Sequence, residues 1–363
     1  MRQRLFGNWC PISPKSGLSI PSSFGNCSQI SPKSGSLTPI TRRGFLATTV
    51  ASGLAWTGTT ALAAPPIGIA SGGWVLVPVD PPKIGFGFSL YGMKSLKVSA
   101  ALNVCADIGY SGVELACLKD WPCDPATLTK PDRESLRAEL VDLSLDLPAL
   151  MENLVLLVPD EQHRTNLERL KNVSQLGHDL SPDAPPVVET VLGGKPEEWN
   201  AVKDRMVERL ADWAKVAASE KTVVAVKAHA FGTLHTPEAA KWLVKQVDSP
   251  WIRLVFDYSH FQRQQLDLKE SLKTMLPETV FIHIKDNLTT AGKTEFALPG
   301  DAGDIDYTEY LKQLRDGGYR GAVVVEVSGQ VSGKPGYDPI AAAKRCYKNI
   351  QPAFVKAGLR IEF

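Results

Sequence analysis

From residue 84 onward, short runs of aliphatic and β-branched residues alternate with longer stretches whose apolar positions recur at three- and four-residue steps. Short continuous apolar runs suit strands buried on both faces, and the longer period suits helices laid against them, the pattern of repeated βα units around a parallel sheet. Eight runs are predicted as strands: 84–89, 112–116, 147–152, 187–191, 222–229, 252–257, 280–285 and 322–327. Eight such units close on themselves, so the predicted fold class is α/β, a single (β/α)8 TIM barrel spanning 84–363.

The helical stretches carry their own punctuation. Thr236-Pro237-Glu238 places a capping hydroxyl, a proline in the first turn and an early acid ahead of an apolar-periodic run. Asp306 and Asp338 are placed to cap two further helices. Between 195 and 219, Trp199, Val202, Met206, Leu210, Trp213 and Val216 form one apolar stripe, as expected of a helix packed on the sheet.

Composition changes the picture mainly at the N-terminus. The formal net charge is +1, yet no acid precedes Asp80, while Arg2, Arg4, Lys15, Lys33, Arg42 and Arg43 are all basic; without that segment the charge is +1 − 6 = −5. A mildly acidic protein with no basic run gives no reason to expect nucleic-acid binding. Residues 1–40 are rich in Ser, Pro and Gly and read as a disordered leader. Thr41-Arg42-Arg43-Gly44-Phe45-Leu46 then precedes a weakly apolar stretch ending in Ala61-Leu62-Ala63, which resembles a twin-arginine export signal. The expected organisation is therefore a leader and cleaved signal over 1–64, a linker over 65–83 and the barrel. The resemblance implies the twin-arginine export machinery as a partner and a periplasmic or other extracytoplasmic location. Thr, Ser and Gly interrupt the apolar stretch, so no stable membrane anchor is expected. Assembly into a homo-oligomer stays open. Four of the six cysteines would survive processing, and Cys117 and Cys123 flank one loop, as a local disulfide or as two reduced thiols.

The chemistry is expected where the strands end. Glu114, Glu152, Glu189, Lys227, Asp257, His283 and Glu326 each stand at or near the close of an apolar run. In a barrel such positions converge on the rim where the βα-loops build an active site. Asp257, His283 and Glu326 close three successive strands and offer two carboxylates and an imidazole, an O/N donor set suited to a divalent cation. His229 and His235 follow strand five, Lys285 and Asp286 are placed for a salt bridge on the rim, and Tyr91 with Trp121 is placed to stack on a bound ring or simply to pack. His163 and His178 read as surface residues.

Val255-Phe256-Asp257-Tyr258-Ser259-His260, Phe281-Ile282-His283-Ile284-Lys285-Asp286, Val323-Val324-Val325-Glu326, the stretch Gly109 to Leu115 and the segment 300–306 together resemble the xylose isomerase-like sugar phosphate isomerase/epimerase barrels. The resemblance spans roughly 84–360. It implies that Asp257, His283 and Glu326 are metal ligands for manganese, cobalt, magnesium or zinc, and that His260 faces the substrate. It also implies an isomerase or epimerase acting on a sugar or keto-sugar by proton abstraction next to a carbonyl. Glu152 and Glu189 are candidate proton-transfer carboxylates, and Glu114, His229 and Lys285 candidate substrate contacts. No glycine-rich phosphate cradle is evident.

One position departs from the family. Strand five of its members ends on a glutamate two residues before a histidine, whereas this chain has Val226-Lys227-Ala228-His229. A protonated lysine cannot ligate and opposes a cation. Three readings follow: Glu152 or Glu189 completes a metal site while Lys227, its pKa lowered by the nearby cation, acts as base or oxyanion partner; Lys227 replaces the metal, pairing with Asp257 and Glu326 and acting electrostatically, or as a metal-independent lyase or Schiff-base enzyme; or the barrel binds a sugar or a partner without catalysis.

Overall fold

The computed structural model describes residues 81–362. The export segment, Cys10 and Cys27 lie outside the described residues. Eight parallel strands run in chain order around a closed barrel: β1 (Lys83–Ser89), β2 (Gly112–Ala116), β3 (Asp146–Met151), β4 (Val187–Val191), β5 (Val224–Lys227), β6 (Ile252–Asp257), β7 (Thr279–Ile284) and β10 (Ala322–Val325), with β10 pairing back onto β1. An antiparallel hairpin, β8 (Asp286–Thr290) and β9 (Lys293–Ala297), follows β7, and the short β11 (Arg360–Ile361) adds beside β1.

Two separate cores follow from the period-2 alternation of a strand. One parity faces outward into a large apolar layer shared with the helices, where Trp213, Leu210 and Met206 of the helix Trp199–Glu220 are buried as the stripe predicts. The other parity faces inward, and Ala149, Ala225, Val255, Phe281, Ala322 and Val324 fill the barrel. Gly87 makes room in that filling, since a Cβ there would stand 2.9 Å from the Gly112 carbonyl oxygen and 3.0 Å from Val324. The predicted caps form: Thr236, Asp306 and Asp338 each accept backbone N–H groups at their helix starts.

The alternation that buries this plug also sets the layer above it. Two residues beyond Val187, Ala225, Val255, Phe281 and Val324 stand Glu189, Lys227, Asp257, His283 and Glu326. Each of these five strands thus carries an apolar side chain inside the barrel and an ionisable one at its rim or just beyond it.

The sequence reading missed the hairpin. Ala291 and Gly292, both at positive φ (51° and 78°), make its two-residue turn between threonine-rich arms. Cys105, Cys117, Cys123 and Cys346 are all buried free thiols, so no disulfide joins Cys117 to Cys123.

Candidate active site

Lys227 lies at the middle of the rim. Its Nζ is 2.9 Å from Glu189 Oε1, 2.9 Å from Glu326 Oε2 and 2.9 Å from His283 Nδ1. A second ammonium, Lys285 Nζ, bridges Asp257 Oδ2 at 2.5 Å and Glu326 Oε2 at 2.7 Å. His283 Nε2 faces Glu114 Oε2 at 3.0 Å. Asp257 also accepts from the Ser259 hydroxyl at 2.6 Å. Seven residues, five on strands β2, β4, β5, β6 and β7 and two just beyond β7 and β10, therefore form one contiguous ion cluster. Glu114, Glu189 and Asp257 are wholly buried, and the Glu326 side chain, 12% exposed, is the acid most open to the mouth.

The electrostatics follow from that packing. Burial alone would lower the Lys227 pKa, but Glu189, Glu326 and Asp257 outweigh it and hold the ammonium well above its usual range. Three carboxylates around the amine thus hold its proton, where a neighbouring cation would release it. Glu326, despite burial, is held well below the usual carboxylate range by Lys227 and Lys285. Glu189 shares the first ammonium but is raised, because its complete burial dominates. Asp257 is lowered, as Lys285, His260 and Lys227 overcome its burial. Burial holds the charge of His283 down while Glu114 and Glu326 pull it up, to about 9 on balance. Its Nε2 faces Glu114 Oε2 at 3.0 Å, and its Nδ1 lies between Lys227 Nζ at 2.9 Å and Glu326 Oε2 at 3.2 Å.

Two neutral histidines line the same mouth. Burial, reinforced by Lys285, pushes His260 well below its usual value, and burial with Lys285 and Lys227 pushes His229 down to about 4. Their rings lie 4.1 Å apart. His260 Nδ1 accepts the Ala230 N–H and His229 Nδ1 the Phe231 N–H, each at 3.3 Å, which leaves both Nε2–H groups as donors. His260 Nε2 lies 3.4 Å from Asp257 Oδ2 but has no hydrogen-bond partner. The hairpin roofs this side, with Phe296 edge-on to His260 at 5.2 Å and 5.2 Å from Lys285 Nζ.

The remaining sequence candidates are sorted by the structure. Glu152 does not join the cluster: it follows Met151, an inward-parity residue, so it points outward and bonds Arg169 of the helix Asp160–Leu180 at 2.5 Å. Arg169 also holds Asp124 Oδ1 at 3.3 Å and the Cys117 carbonyl at 2.9 Å. Glu152→Gln should therefore leave turnover within about tenfold, whereas Arg169→Ala, stranding two nearly buried carboxylates, should cost about 3 kcal/mol in urea unfolding. Lys285 and Asp286 do not pair, because they lie on opposite faces of the chain; Asp286 accepts from the Tyr307 hydroxyl at 2.6 Å and from Gly300 and Ala302 N–H, pinning the 300–306 loop. Tyr91 and Trp121 stack on each other at 5.2 Å, with Lys94 Nζ 4.3 Å from the indole. His163 is buried against Asp212 rather than on the surface, and half-buried His178 bonds the Glu220 carbonyl. His235 bonds the Thr233 carbonyl.

Asp257, His283 and Glu326 do present donor atoms within 4.8 Å of one another. Each of the three residues, however, already has an ammonium within 2.9 Å of one such atom, Asp257 Oδ2, Glu326 Oε2 and His283 Nδ1. Like unit charges 4 Å apart near a protein surface repel by about 4 kcal/mol, and a divalent ion doubles that against each lysine. The donor set as it stands fits its lysines and does not fit a divalent cation.

A family model for the xylose isomerase-like TIM barrel matches residues 102–350. L-ribulose-5-phosphate 3-epimerase of Shigella flexneri is 19% identical over 160 residues, 44% of this chain and 54% of that protein; the chain thus spans about half the length of the curated relatives it matches. Among solved structures, 3-keto-D-glucoside 4-epimerase from E. coli is similar with a TM-score of 0.58 and 16% identity, over 74% of this chain and 100% of that one. A xylose isomerase-like TIM barrel protein from Mycobacterium smegmatis in complex with magnesium has a TM-score of 0.58 and 18% identity, over 76% of this chain and 97% of that one. At these identities the structural likeness is one of fold.

Proposed function

The chain belongs to the xylose isomerase-like TIM barrel family, and on that footing we propose that it is an isomerase or epimerase of a sugar or keto-sugar, working by proton abstraction next to a carbonyl. The observation that carries this reading is the pairing of Lys227 Nζ with Glu326 Oε2 at 2.9 Å, an ammonium beside the one carboxylate open to the mouth. The names of the relatives, epimerases of a ribulose phosphate and of a keto-glucoside, point to the same class of substrate.

Glu326 takes the proton from the carbon next to the carbonyl, and the ammoniums that hold it well below the usual carboxylate range at rest turn to the substrate oxygens as they bind, which restores its basicity. The C–H pair becomes the new C=C bond, and the carbonyl π pair moves to oxygen, where the Lys227 ammonium meets it as a preformed hydrogen-bond donor. A proton delivered by solvent to the opposite face of the same carbon, with Glu326 releasing to solvent the one it took, gives the epimer. Returned to the former carbonyl carbon, with the neighbouring hydroxyl proton passing to the enolate oxygen, it gives the isomer. His229 and His260 orient substrate hydroxyls through Nε2–H. Held as an ammonium, Lys227 is not the free amine that a Schiff base requires.

Incubation of the purified protein with a panel of aldoses, ketoses and keto-glycosides, read by NMR and mass spectrometry, tests this. A product of unchanged mass and altered configuration is expected. Loss of water would make the protein a lyase, and binding without turnover would make it a sugar-binding barrel, either of which refutes the proposal.

We further propose that the protein acts outside the cytoplasm after twin-arginine export. Changing Arg42 and Arg43 to Lys should trap precursor in the cytoplasm. Unchanged release of a product beginning near Ala64, read by mass spectrometry of its N-terminus, would refute that route.

A further inference from the structure

We infer that Lys227 and Lys285 together stand in for the divalent cation that such a barrel would otherwise hold, and that this centre works without a metal. The argument is one of position and charge. Asp257, Glu326 and His283 offer the donors a cation would need, and Asp257 Oδ2, Glu326 Oε2 and His283 Nδ1 are taken up by the two ammoniums at 2.5, 2.7 and 2.9 Å. Glu326 Oε2 receives both lysines, so the two charges flank the place where three donors converge. Two ammoniums bring the same charge of +2 as one divalent ion. Lys227 also reaches Glu189 Oε1 at 2.9 Å, so the pair neutralises charge on three carboxylates.

Both lysines are fixed by the fold rather than lying on the rim by chance. Lys227 is two residues beyond Ala225 and Lys285 two beyond His283, so each continues the inward parity of its strand. Their side chains are 3% and 2% exposed. Phe296 of the hairpin, 5.2 Å from Lys285 Nζ, keeps water off that ammonium and presents a ring face to its charge. A metal ion binds two neighbouring oxygens of a substrate by coordination. A pair of ammoniums binds them by hydrogen bonds, which suits an α-hydroxycarbonyl whose carbonyl oxygen gains charge as the C–H proton moves to Glu326.

Only the identity of that substrate rests on the epimerase reading; exclusion of a metal is measured without it. The purified protein is dialysed against millimolar Mn²⁺, Mg²⁺ or Zn²⁺, and its metal content and melting temperature are read with and without EDTA. Far less than one ion per chain and no shift in melting temperature with either treatment are expected. The double variant Lys227→Glu, Lys285→Met should instead retain Mn²⁺ and gain several degrees on its addition. One equivalent of ion held by the wild type, lost in Asp257→Asn and removed by EDTA with a fall in melting temperature, would overturn the inference, whether or not either variant folds well. Failure of every sugar in the panel with no metal retained would sink the epimerase reading and leave this one standing.

Discussion

Replacing Lys227 with methionine is expected to lower kcat by about 10²–10³-fold, the usual loss when a preorganised donor to a developing oxyanion is removed. The same change should destabilise the barrel by about 3 kcal/mol, because it strands wholly buried Glu189 without its ammonium. The pH dependence of that deficit identifies its cause. Burial already raises the Glu189 carboxyl above 4.5, and Lys227 is the largest influence lowering it, so the variant raises it further. A carboxyl raised in the folded state favours folding when protonated, so the deficit should shrink as pH falls toward 4.5 and grow above it. A deficit independent of pH, with kcat unchanged, would make Lys227 a bystander.

Glu326→Gln is expected to cost about 10²–10⁴-fold in kcat, since it removes the group that carries the proton. Glutamine keeps the shape and still accepts hydrogen bonds from Lys227 and Lys285, so circular dichroism should stay that of the wild type. The double change Lys227→Met, Glu326→Gln should lose little beyond the worse single change, because the two groups act as a unit. Additive losses in log kcat would show that they act in separate steps.

How much of this was legible in the sequence depends on which physical rule set each feature. The eight strands and the caps at Thr236, Asp306 and Asp338 were readable because burial on both faces and helix capping are local signals. The rim cluster was readable because an ionisable residue closing an apolar strand stands where βα-loops begin. Glu152 misled because strand position was used without parity: counting from Ala149 and Met151 places it outward, where Arg169 meets it. The hairpin β8–β9 escaped because its arms lack an apolar alternation, although threonines flanking Ala291-Gly292 are a turn signal. His163 was misjudged because an acid 49 residues away, Asp212, is what lets it be buried. The partner of Lys285 was not accessible to local reasoning either, since Asp257 comes from another strand.

The central claim, that this rim removes a proton from carbon next to a carbonyl, is tested most directly by hydrogen exchange. The protein is incubated in D₂O with each keto-sugar of the panel, and deuterium at carbon is followed by NMR. At least one sugar should take up deuterium at a carbon next to its carbonyl, with the rate falling at least about a hundredfold in both Lys227→Met and Glu326→Gln. Conversion of a sugar without any deuterium at that carbon, or exchange at an undiminished rate in both variants, would contradict the account.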